Sequence, residues 1–120
     1  MSARPLFTTA ALFNFLVGLP MLVAFPLVGR VLGFEGPPTL WTQIVAAIVL
    51  VFGYAYWRIA NDPVQFRPYV TLGIIGKLIF VVIIYGHWLS GTATGAAALL
   101  VTVDLAFALL FIAYLRASPR

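Results

Sequence analysis

Lys77 and Asp104 are the residues of this chain whose types and spacing could do chemistry together. Each is a charge set well inside an apolar run, and they sit almost symmetrically about the short Ser90-Gly91-Thr92 segment that joins those runs. If both runs span a bilayer as a helical hairpin, the two side chains meet at one depth near the midplane. An ionisable group there costs roughly 2.5–3.5 kcal/mol on insertion scales, so a facing partner of opposite charge is expected. Asn14, the polar residue of the first apolar run, lies one turn before Gly18 and is placed to hydrogen-bond the same cluster. Such a site can couple proton movement to transport, and the same pair can equally serve to hold two helices in register. The residues alone leave both open.

His87 is the other side chain with chemistry to offer. At about 1.5 Å per residue it lies roughly 15 Å from Lys77 along one helix, too far to share a site. Beside Trp88 it reads as an interfacial residue, and Tyr54, Tyr56 and Trp57 read as a boundary belt at the far end of the preceding run. His87, Tyr54 and Trp57 are therefore candidates only for an interfacial ligand contact, such as a quinone. With no cysteine and one histidine, thiolate metal sites, iron–sulfur clusters and thioether-linked haem drop out, and no cofactor is expected. Catalysis is disfavoured, because Lys77, Asp104 and His87 do not form one accessible acid/base pair.

The elements that must position these groups follow from composition. Of 120 residues 63% are hydrophobic and 8% charged, against about a quarter charged in soluble domains. A spanning helix needs about 20 apolar residues. The chain therefore reads as an all-α integral membrane four-helix bundle, a single domain over residues 1–120 with spans at about 6–26, 38–60, 68–89 and 92–116.

The first run is expected to kink at Pro20 and to reach the interface at Pro26, with Leu27 to Phe34 as a short interfacial turn. Pro37-Pro38 and Arg67-Pro68 each fit a first helical turn, where proline is tolerated. Asn61-Asp62-Pro63 stops the second run, and the loop that follows reads as a capped turn with Asp62 balancing Arg58 or Arg67. The Gly29/Gly33 and Gly91/Gly95 pairs lie at helix ends, where G-x-x-x-G carries little meaning.

Arg4, Arg58, Arg67, Arg116 and Arg120 fall on one side of a four-span topology, while Arg30, offset by Glu35, falls on the other. By the positive-inside rule the N and C termini are cytoplasmic. The arginines are scattered at helix ends rather than grouped in a soluble module, so the net charge of +4 does not point to nucleic acid. A cleaved leader is disfavoured, because the first run exceeds the usual 7–15-residue core and lacks a small-x-small site.

On the third run Tyr69, Gly73, Gly76, Lys77, Phe80, Ile84 and His87 recur at helical spacing and should turn inward, leaving Ile74, Ile75, Leu78, Val81, Val82 and Ile83 outside. On the fourth, Ala97, Val101, Asp104, Ala108, Phe111 and Leu115 make the matching stripe, bulkier toward the C-terminus. Three functional classes follow. The scarcity of polar lining favours an accessory or interaction subunit bound to a larger membrane partner, with a homo-oligomer as an alternative assembly. A small-solute or proton-coupled transporter using Asp104 and Lys77 comes next, and a lipid- or quinone-binding membrane protein third.

The pattern Gly53-Tyr54, Asp62-Pro63, Gly73-x-x-Gly76-Lys77, Asp104-x-x-Phe107 and Phe111 resembles small four-span bacterial membrane proteins, the DoxX-like group being the nearest. The glutamate- and glycine-rich second helix associated with that group is missing here. The resemblance implies a bacterial inner-membrane protein with the lipid bilayer as its medium. Small multidrug transporters are similar in outline, but their first-span glutamate is replaced by Asn14 as the polar residue, which disfavours drug–proton antiport by their mechanism.

Overall fold

The computed structural model of the chain describes residues 2–33 and 37–118. Phe34, which ends the expected interfacial turn, and Glu35 and Arg120, which enter the charge comparison, lie outside the described residues.

The first apolar run forms α1, Ala3–Val23, which stays helical through Pro20 and breaks four residues later at Ala24 (φ −135°, ψ 46°). Pro26 explains the position of the break. It has no N–H to give to the carbonyl four residues back, and its ring would clash there. It is instead taken into the first turn of a second, short helix, α2, Phe25–Leu32. The segment expected as a turn is thus helical, with Phe25 and Gly29 buried and Leu27 and Val31 exposed. Gly33 ends it at φ +84°, and a Cβ there would lie 2.1 Å from Thr94 Cγ2, so backbone and packing both require glycine.

Helix α3, Leu40–Asn61, starts two residues after the prolines expected in its first turn. Thr39 caps it: Thr42 N–H donates to Thr39 Oγ1 (3.2 Å) and Thr39 N–H to Thr42 Oγ1 (2.8 Å), a reciprocal box. After it, Asp62 balances neither Arg58 nor Arg67. Its carboxylate accepts the Gln65 N–H at 3.2 Å, while Arg58 lies over the Phe66 ring at 4.6 Å and Arg67 donates to the Leu115 carbonyl at 3.2 Å. Closing the tight turn at Pro63 takes a local acceptor, and the guanidinium groups reach better partners elsewhere.

Helix α4, Arg67–Leu89, carries Pro68 in its first turn, and α5, Gly95–Ala117, begins three residues later than the sequence pattern places it. The reason is that Thr92 N–H and Ala93 N–H both donate to the His87 carbonyl (2.8 and 3.2 Å), closing the turn around Gly91 at φ +84°. Thr94 then caps α5 by accepting the Ala97 N–H.

The described residues therefore form five helices, four of them long and apolar enough to cross a membrane. Leu16, Val82 and Leu99 stand outward at 70% exposure or more. α1 packs along α3 and α4 along α5, and the two pairs meet through side chains. At the end holding both termini, Phe7 stacks on Phe111 (ring centroids 4.6 Å) and edges onto Tyr114 (5.4 Å), and Tyr56 edges onto Phe111 (5.3 Å). With Ala10, Ala11, Ile59 and Val70 these rings fill the main core. Toward the opposite end the buried cluster is smaller, formed by Met21, Phe25 and Ala46.

Several side chains depart from the sequence expectation: Tyr69 and His87, expected inside, are exposed, and Ile74, expected outside, packs against the core. Val81, expected outside, is buried, so α4 turns a wider face inward than its small residues mark. Tyr56, expected in the boundary belt, is 1% exposed and belongs to the core. Gly73 is the cause, because a Cβ there would come within 2.7 Å of the Tyr56 ring.

Candidate functional site

Four helices converge on Lys77. Its ammonium group forms an ion pair with Asp104 Oδ1 on α5 and donates to Asn14 Oδ1 on α1 at 3.3 Å. The Asn14 amide in turn donates to the Val49 carbonyl on α3 at 3.0 Å. That carbonyl lies within a helix, and its second lone pair accepts the side chain. Close approach of α1 and α3 makes the bond reachable. A Cβ on Gly53 would come within 3.2 Å of Asn14 Cβ and 2.9 Å of the Phe15 ring, and one on Gly18 would meet Leu50 and Val49 at about 3 Å. Asn14 and Gly18 on one helix thus face Gly53 and Val49 on the other, each pair one turn apart.

Rings close around the cation. Phe13, Tyr56 and Phe107 have centroids 5.5, 5.2 and 5.4 Å from Lys77 Nζ. At that range each ring quadrupole attracts an ammonium group by about 0.5–2 kcal/mol, the more so where water is excluded. The Lys77 side chain is 4% exposed and that of Asp104 16%, so Asp104 is the member of the pair that opens outward.

What it opens onto is a cavity of about 370 Å³. Lys77, Asp104 and Asn14 line it together with apolar side chains such as Val17, Val45, Phe80, Ile84 and Val101, which make most of the wall. Three lining residues are also strongly exposed, Trp41 (73%), Ile48 (39%) and Ile83 (52%), which sets a mouth between α3 and α4. The packing shows why the helices part there. Phe52 and Tyr56 rest on Gly76 and Gly73, where α4 has no side chain, but the next inward positions of α4 are Phe80 and Ile84, whose bulk holds α3 away.

Of the residues singled out by the sequence, Lys77, Asp104 and Asn14 are brought together. The other three are not part of this site. Tyr54 and Trp57 lie half-exposed on the outer face of α3 with ring centroids 6.0 Å apart. His87 is exposed at the end of α4, its Nδ1 2.6 Å from Thr92 Oγ1. Sequence reasoning missed the aromatic surround and the cavity. Phe13 adjoins Asn14, and Phe107 follows Asp104 by one turn, so both carried a positional signal; Tyr56 carried none, because its place depends on a glycine in another helix. Among the described residues no group of histidine and carboxylate side chains could hold a metal ion.

Comparison with known proteins gives no match to this chain, whether a family model, a curated relative or a solved structure.

Proposed function

We propose that this is a multi-pass membrane protein, with both termini cytoplasmic, whose helix bundle binds one small lipophilic molecule with its polar end at Lys77, Asp104 and Asn14. The observation that carries this reading is the cavity: an apolar wall, one polar cluster in its lining, and a mouth between α3 and α4 flanked by exposed apolar side chains. Ligand sites have this composition, mostly apolar with a few convergent polar groups, and volumes of about 300–1,000 Å³. In a bilayer such a mouth faces acyl chains, so a lipophilic ligand enters without crossing water.

The wall is too apolar to conduct a hydrated solute, since permeation pathways replace the hydration shell with polar groups. That weighs against transport of a small polar solute. The scarcity of polar lining that favoured an accessory subunit is equally what a lipophile site requires. A bacterial inner-membrane location and membership of the DoxX-like group belong to the same proposal, supported by the chain's size, span number and the positions quoted above. Arg4, Arg58, Arg67 and Arg116 at one end of the bundle, against Arg30 toward the other, support cytoplasmic termini.

The test is gentle extraction followed by mass spectrometry of co-purified small molecules. The double variant Val17→Phe/Val45→Phe, which fills the cavity from two walls, serves as control. A compound held by wild type and lost from the variant, with helical content unchanged, is expected; identical extracts from both proteins would overturn the reading.

A further inference from the structure

The polar cluster in the cavity lining also specifies the head group of the ligand, an inference that rests on the lipophile-binding reading above. Lys77 has three N–H donors, and two are engaged, by Asp104 Oδ1 and Asn14 Oδ1. Among the described residues the second carboxylate oxygen of Asp104 has no hydrogen-bond partner, and Asp104 is the partly exposed member of the pair. The cluster therefore keeps one strong donor and one strong acceptor within a single small region.

Its net charge decides between ligand classes. The cation and the anion already neutralise each other, and among the described residues no other charged side chain lines the cavity. A carboxylate or phosphate head would bring a second negative charge beside Asp104, and a quaternary ammonium head a second positive charge beside Lys77. Either addition leaves an uncompensated charge in an apolar surround, which is costly. An uncharged hydroxyl instead accepts from Lys77 and donates to Asp104, satisfying both open sites without changing the net charge. The tail is restricted too, since a cavity of about 370 Å³ takes one chain or ring system rather than the two chains of a phospholipid.

We infer that the site is selective for a single-tailed, uncharged lipophile bearing a hydroxyl group, and that Lys77 and Asp104 recognise that hydroxyl as acceptor and donor respectively.

Trp41 lines the cavity and reports on it. In the variant Trp57→Phe/Trp88→Phe, Trp41 is the remaining tryptophan, and chain-brominated probes quench its fluorescence on binding. The protein in lipid nanodiscs is titrated with three probes of equal chain length: a brominated primary alcohol, the corresponding carboxylate at pH 8, and the corresponding trimethylammonium. Saturable quenching by the alcohol at a tenfold or more lower concentration than either charged probe is expected. The preference should fall below about threefold when Lys77→Met and Asp104→Leu are added together, a pair chosen because neither charge is then left alone.

The two readings fail differently. If no probe quenches saturably, or if Val17→Phe/Val45→Phe leaves quenching unchanged, the cavity is not a ligand site and both fall. If binding is saturable and blocked by those fillers, but a charged probe binds as well as the alcohol, the head-group inference falls and the lipophile site stands.

Discussion

Removing Asp104 and Lys77 singly and together measures how strongly the ion pair ties α4 to α5. Asp104→Leu leaves the Lys77 ammonium group with Asn14 Oδ1 at 3.3 Å and three ring faces at 5.2–5.5 Å, so part of its stabilisation survives. Breaking a buried pair costs about 3–5 kcal/mol, and the lower end applies here. Lys77→Met leaves the Asp104 carboxylate with no cation among the described residues and takes the donor from Asn14, but Asp104 is partly open to the cavity, so about 3 kcal/mol is expected again. The double variant sets two apolar side chains of similar volume against each other and should cost about 2 kcal/mol or less, since such replacements are often near neutral. The resulting coupling of about 4 kcal/mol lies within the range measured for close charge pairs. Reversible unfolding of the purified protein in mixed micelles gives all four stabilities. Single costs that add to the double within about 0.5 kcal/mol would refute the contact as an energetic unit.

Further outcomes follow from the packing. Gly73→Ala should destabilise by about 1–3 kcal/mol, because its Cβ would press on a Tyr56 ring that is walled in by Phe52 and Phe111. Gly86→Ala on the same helix, with nothing within 4 Å of the added Cβ, should be neutral or stabilising by up to about 1 kcal/mol; a loss in both would point to α4 itself rather than to the contact. Thr94→Val removes the α5 cap and the bond from Thr94 Oγ1 to the Leu32 carbonyl (2.7 Å), a change of about 1–2 kcal/mol that Thr94→Ser should mostly restore in thermal melts. Because the chain has no cysteine, Ser2→Cys and Thr92→Cys report orientation directly. A membrane-impermeant maleimide should label Thr92→Cys on intact cells and Ser2→Cys only after permeabilisation, and the reverse pattern would invert the topology.

Boundaries set by proline and by hydrogen-bonding side chains were partly legible. Pro68 opens α4 as its position implies, since a first-turn residue needs no N–H. Pro37-Pro38 mislead by two residues, because Thr39 and Thr42 form a better start than the prolines do. The helix at Phe25–Leu32 was hidden by its own Pro26, which reads as a break and acts as both a break and a restart. The neighbours Tyr54 and Trp57, which do lie outward, place Tyr56 in the same boundary belt, whereas the space at Gly73 on another helix admits its ring to the core.

The sequence by itself determined the all-helical architecture and the equal depth of Lys77 and Asp104. Hydrophobic run length sets the number of long helices, and a constant rise per residue places two groups equidistant from a turn at one level. Only the tertiary structure decided that Asn14 links this pair to Val49, that three rings surround the ammonium group, and that the bundle is filled at the terminal end and hollow beyond Gly76. These depend on how closely α1 approaches α3 and how far Phe80 and Ile84 hold α4 from it. Interhelical distance is set by the volumes of side chains meeting from different parts of the chain, and no local pattern encodes that sum.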